Sequence, residues 1–144
     1  MRKTGFRLDQ VLKYRKEMEK VSKVEFAEAS QELENASTFL KCEEEKVSRL
    51  DSEFNDRQQE GITAQELQIY SSFFRRKSVD IKNQRTNVGL LGHEVTRKRE
   101  TLIDASKGKK MLESLEKKSV LEMKRKIDEK EKNVMEEIAI RGKK

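Results

Sequence analysis

The stretch Gly61-Ile62-Thr63-Ala64-Gln65-Glu66-Leu67 decides how this chain is read. Thr63 sits as an N-cap, where its hydroxyl accepts from an N–H in the first turn of a helix. Glu66, three residues on, holds the position from which a carboxylate reaches back to the N–H of Thr63 and closes a capping box. Ile62 and Leu67 take the two places of a hydrophobic staple, which fixes the angle at which the chain joins the helix. Gly61, just before, tolerates the left-handed backbone that commonly ends a helix. One helix therefore stops here and another starts. None of these devices has a use inside a single continuous helix.

Working outward, the apolar residues fall into two heptad tracks. Before the turn, Phe26, Leu33, Leu40, Val47 and Phe54 recur every seven residues, with Ala29, Ala36 and Leu50 in the companion position and Glu43 as its exception. After it, Leu67, Phe74, Ile81, Val88, Val95 and Leu102 recur in the same way. Tyr70, Leu91, Ala105 and Leu112 are their companions, and Lys77, Gln84 and Lys98 interrupt the set. This is the a/d pattern of a coiled coil. The expected fold is all-α: an antiparallel two-helix coiled-coil hairpin with a longer C-terminal helix, read as a single coiled-coil domain. Helix one is placed at about residues 6–58, the turn at 59–63 and helix two at about 64–140. At 1.5 Å per residue the helices extend roughly 80 and 115 Å.

Folding the chain at this turn pairs residues whose numbers sum to about 124, so that a positions meet d positions. The predicted layers are Phe54 with Tyr70, Leu50 with Phe74, Glu43 with Ile81, Ala36 with Val88, and Leu33 with Leu91. Lys77 lies one layer from Glu43, where the two polar seam residues partly compensate each other; such residues cost stability but discourage slipped registers. Charge points to the same pairing. Residues 21–60 carry 5 basic and 11 acidic side chains, while residues 75–110 carry 11 basic and 4 acidic. Each surface pair contributes little, about 0–1 kcal/mol, yet opposed fields select the orientation.

Composition excludes much else. Of 144 residues, 42% are charged and 33% hydrophobic, with no proline, no tryptophan and a net charge of +6. That is too polar for a conventional core and leaves one narrow seam as the route to order. No apolar run is long enough to span a membrane, and the basic start lacks the apolar stretch of a secretory signal. The single cysteine, Cys42, excludes an internal disulfide and fits a reducing compartment. It is placed on the outer face as a spare thiol. His93 has no second histidine to share a metal, so no metal, cofactor or catalytic residues are expected. No phosphate-binding loop or nucleophile motif is present. A two-helix rod offers no water-excluding pocket for an enzyme.

The two ends of the chain read differently from the middle. Helix two is longer than helix one, so its last residues have no counterpart within the chain. They still carry Val120, Ile127 and Val134 at sevens, with Met123 and Ile138 beside them. Near the start, Val11, Tyr14, Met18 and Val21 form a stripe rotated by one residue from the Phe26 track. Residues 1–20 are basic, with 7 basic and 3 acidic side chains. Near the turn, Ile69, Phe73 and Arg76 flank the seam that Tyr70 and Phe74 fill. Phe73 and its neighbour Phe74 cannot both face helix one. Phe73 is then either an exposed anchor for a partner or a ring folded over the seam edge.

Taken together, these features resemble the FliJ family of flagellar export proteins. The resemblance rests on Phe6-Arg7-Leu8, Val11-Leu12, Arg15-Lys16 and Glu19 at the start. At the turn it rests on Gly61-Ile62-Thr63, Glu66-Leu67, Tyr70 and Phe73. Toward the end it rests on Leu112-Glu113, Leu115, Lys117-Lys118, Asp128-Glu129, Glu136-Glu137-Ile138-Ala139 and Arg141. It implies a non-enzymatic part of the flagellar type III export apparatus, shaped like the central stalk of a rotary ATPase. The implied partners are the hexameric export ATPase, the membrane export gate and unladen export chaperones. The implied location is cytoplasmic, peripheral to the inner membrane through protein partners. Ile69, Tyr70, Phe73 and Arg76 are the candidate gate-facing residues. Phe6, Leu8, Val11, Tyr14, Val120, Ile127, Val134, Ile138 and Arg141 are candidates for the ATPase at the open end.

Two other classes are weighed beside that one. A self-associating structural coiled coil would be a stable dimer, whereas the hairpin is expected to be a monomer when isolated. A nucleic-acid binder would use Arg97-Lys98-Arg99 and Lys107 to Lys110, but that stretch lacks interleaved aromatics for base stacking and faces the acidic helix one. Nucleic acid is not an expected partner.

Overall fold

A computed structural model describes residues 7–142. They form two α-helices, α1 (Asp9–Glu60) and α2 (Ala64–Gly142), packed against each other as an all-α hairpin. Asp9 and Glu66 lie in the first turns, and Arg57 and Arg141 in the last, each of the sign that a helix dipole favours. The predicted all-α class, with two long helices packed against each other, holds.

The turn is built as its residues dictate, with one change. Gly61 has φ of 107°, and its N–H donates to the Arg57 carbonyl at 3.0 Å, closing α1. The Thr63 hydroxyl accepts from the N–H of Glu66 at 3.1 Å. The Glu66 carboxylate, expected to turn back to Thr63, instead accepts from Arg57 Nη2 at 3.1 Å and ties the end of α1 to the start of α2. Leu67, expected in the seam, is 42% exposed. Its counterpart in the pairing would be Arg57, whose side chain is drawn to Glu66.

The chain divides into two compact units: Lys23–Thr101, which contains the turn, and Met1–Ser22 together with Leu102–Lys144. In the turn unit, Ala29, Ile81 and Val95 are buried. Phe26, Leu33, Leu40, Val47, Leu50 and Phe54 of α1 and Phe74, Val88 and Leu91 of α2 are half-buried along the seam. The Phe54 ring meets Tyr70 at 4.9 Å, centroid to centroid, as the predicted register requires, and also reaches Phe74 of the neighbouring layer at 5.7 Å.

In the unit formed by the two ends of the chain, Leu12 is the most buried of the described residues, at 2% exposure, with Glu19 and Ser22 also buried. Counting back from Phe26 by sevens reaches Glu19 and Leu12. The Phe26 track thus governs α1 here too, and the rotated stripe does not replace it. Val11, Tyr14, Met18 and Val21 are left exposed. The physical reason is that Glu19 is satisfied in the seam: its carboxylate accepts from Ser106 Oγ at 2.6 Å and Lys109 Nζ at 2.9 Å. Gly108 lets Arg15 lie close, since an added Cβ there would meet Arg15 Nη1 at 3.1 Å.

Candidate functional site

Acidic side chains of α1 meet basic side chains of α2 along the seam. In the turn unit, buried Glu43 accepts from Lys77 Nζ at 2.6 Å, Glu25 from Lys98 Nζ at 3.0 Å, and Glu44 pairs with Arg85 at 3.5 Å. The Lys77 hydrogen bond holds the Glu43 carboxyl below its ordinary 4.5, against the opposing effect of burial. In the other unit, the hydrogen bond from Lys109 to Glu19 raises the Lys109 ammonium above its ordinary 10.5. A buried ion pair is weak support for stability but strong support for register, because a slipped alignment leaves a charge without its mate.

These pairs also occupy the basic stretch weighed for nucleic acid. Lys98 is held by Glu25, Lys109 by Glu19, and Arg97 by its neighbour Glu94. Arg99 lies over the Phe26 ring at 5.5 Å. Cys42 is exposed, as expected, and so is His93. Among the described residues no group of three or more His, Cys, Asp or Glu is placed to hold a metal ion. No helix among them is long and apolar enough to cross a membrane.

Two surfaces remain as candidates for contact with other molecules. Beside the turn, Ile69 is 66% exposed and Arg76 is exposed, while Tyr70 is half-buried against Phe54. Phe73 is half-buried, its ring edge-on to Phe74 at 6.2 Å with Lys77 Nζ 5.8 Å from its centroid. Of the two readings of Phe73, the ring folded over the seam edge is the one observed. The four candidates therefore divide: Tyr70 serves the seam, Phe73 lies at its edge, and Ile69 and Arg76 face outward.

The second surface is the C-terminal part of α2. Every residue from 121 to 142 is helical and exposed. Val120, Met123, Ile127, Val134 and Ile138 are among the exposed apolar side chains, joined by Leu121, Met135 and Ile140. Here ion pairs run along the helix, Arg125 with Glu122 and Arg141 with Glu137, each at 3.7 Å. On α1, Leu8, Val11 and Tyr14 are exposed. Phe6 lies outside the described residues. The sequence reading missed the seam role of Leu12, Glu19, Ser22, Ser106 and Lys109. Only the seven-residue count back from Phe26 signalled the first two, because polar residues at a and d hide the pattern.

Two antiparallel helices zipped by charge-matched layers, with apolar faces left open, define a coiled-coil hairpin protein. The family described as "Flagellar FliJ protein" matches residues 4–142, essentially the whole chain. The chain belongs to the FliJ family, and membership makes it a component of flagellar protein export. No curated protein and no solved structure matches it.

Proposed function

We propose that this chain is a non-enzymatic central stalk of the hexameric flagellar export ATPase and an adaptor to the export gate and unladen substrate chaperones. One observation carries the reading: α2 stays helical from 121 to 142 while every side chain there is exposed, apolar ones included. A monomer that exposes a contiguous apolar face generally has a partner for it. A ring whose central opening accepts a helix suits that face. Val120, Ile127, Val134 and Ile138 would supply apolar contact, and Arg141 charge. Leu8, Val11 and Tyr14 of α1 add a second apolar strip to the same role. Ile69 and Arg76, outward-facing beside the turn, are the residues assigned to the gate, with Phe73 at their margin. The protein then works in the cytoplasm and reaches the inner membrane only through these partners.

The test is co-purification with the export ATPase, with ATP turnover measured with and without the chain under conditions where rings form. Binding and faster turnover are expected, both reduced by Ile127→Glu together with Ile138→Glu. Assembled rings that neither bind the chain nor respond to it would overturn the stalk reading.

A further inference from the structure

The exposed face of the α2 tail has a symmetry of its own. The stripe enters the exposed tail from the seam: half-buried Leu112 and Glu116 are followed eleven residues on by exposed Met123 and Ile127, and eleven further by exposed Val134 and Ile138. An eleven-residue repeat keeps one stripe on one side of a nearly straight helix, where a strict heptad would wind it leftward. The positions 116, 120, 123, 127, 131, 134 and 138 make up this stripe, and the set maps onto itself when reversed about Ile127. Val120 exchanges with Val134, Met123 with Glu131, and Ile127 with itself.

Charge follows the same centre. Residues 117–126 carry 5 basic and 1 acidic side chains; residues 128–137 carry 5 acidic and 2 basic. Two copies laid antiparallel about Ile127 place each basic segment along the acidic segment of the other. Lys124, at one margin of the stripe, then lies at nearly the height of Glu131 of the second copy. It is on the same side, and the contact occurs twice by symmetry. Laid parallel, the two tails would set like charges side by side, which is unfavourable.

We infer that the tail is a self-recognition surface: two copies of this chain pair antiparallel through α2, with the two-fold axis at Ile127. Both partners offer the same patch, as a two-fold contact requires. The contact covers about six helical turns and falls at the low end of interface sizes, below about 1,200 Å². The pairing is therefore reversible and concentration-dependent, and the dilute protein is a monomer. This inference does not rest on the ATPase reading. The same face serves both, so the two occupancies exclude each other.

Sedimentation of the full chain from about 1 µM to several hundred µM spans the range of a weak, reversible contact. The dimer fraction is expected to rise across it. Ile127→Asp, at a position 51% exposed in the single chain, should weaken association at least tenfold with helix content unchanged. Lys124→Glu and Glu131→Lys should each weaken self-pairing, yet a mixture of the two should associate, because every 124–131 contact is then of opposite sign. In a Cys42→Ser chain, Ile127→Cys should cross-link to itself with a short thiol reagent, whereas Val120→Cys alone should not. A chain that stays monomeric throughout would overturn the inference, as would a charge-swapped mixture no stronger than its parts or self-cross-linking at position 120. No ATPase is present in these measurements, so their outcome is separate from that of the stalk reading.

Discussion

Glu43 shows how one side chain sets alignment. It is buried in a companion position that otherwise holds Ala29, Ala36 and Leu50, and Lys77 reaches it at 2.6 Å. Its carboxyl is held low by that hydrogen bond, so its stabilising effect is present above the unfolded value of 4.5 and is lost as pH falls through the lowered folded value. Lys109 is the mirror case. Its raised value means that the contribution is present below 10.5 and is lost as pH rises through the folded value. A plot of Tm against pH should therefore be flat at neutrality and decline at both extremes. Glu43→Gln should flatten the acid limb, and an acid limb unchanged in that variant would count against the assignment. At the turn, Thr63→Ala removes the acceptor of the Glu66 N–H and should cost about 1 kcal/mol, read as a lower urea midpoint with unchanged slope.

At the scale of the element, glycines separate cleanly by role. Gly61 has φ of 107°, so Gly61→Ala should destabilise, because a side chain is strained in that conformation. Gly89 and Gly92 lie within α2, and an added Cβ at either meets nothing within 4 Å. Replacing both with alanine should raise Tm, each change being worth about 1 kcal/mol of helix propensity. No rise in calorimetry would mean that this part of α2 is not a weak point. Much of the element structure was legible in the sequence, for reasons specific to particular residues. The Gly61–Thr63 signature fixed the break, and Phe54 met Tyr70 as the pairing arithmetic requires. What stayed hidden was the seam at the start of α1. Val11, Tyr14, Met18 and Val21 look like a core stripe to any reading based on hydrophobicity. The seven-residue count back from Phe26 points to Glu19, and its tertiary partners Ser106 and Lys109 account for its burial. Leu67 was misplaced for a similar reason: whether Arg57 leaves the seam depends on where Glu66 points.

Across the whole molecule, stability is distributed unevenly. Residues such as Leu12, Ala29, Ile81 and Val95 are buried, whereas nothing from 121 to 142 is. Backbone hydrogen bonds of a solvated helix open locally at little cost, while those beneath a packed seam open only with the larger structure. Hydrogen exchange should show amides of residues 121–142 exchanging orders of magnitude faster than those around Ile81 and Val95. Protection should appear in that segment when a partner covers it. Equal protection along α2 in the isolated, dilute protein would mean that the tail is not free. The candidate interaction residues were less legible than the fold for the same physical reason. Periodicity reports which side chains share a face, but not whether the chain itself covers that face.

The turn has one more consequence, for the order in which the chain is made. Partners close to it are near in sequence, Arg57 and Glu66 being 9 residues apart, whereas Glu19 and Lys109 are 90 apart. Loop closure favours the short spans, so the hairpin zips from Gly61 outward and its open end is sealed last. On a ribosome, α1 emerges with half a seam and must wait for α2. The apolar layers at the start of α1 are then unsheltered in a nascent chain until their partners beyond Leu102 have emerged.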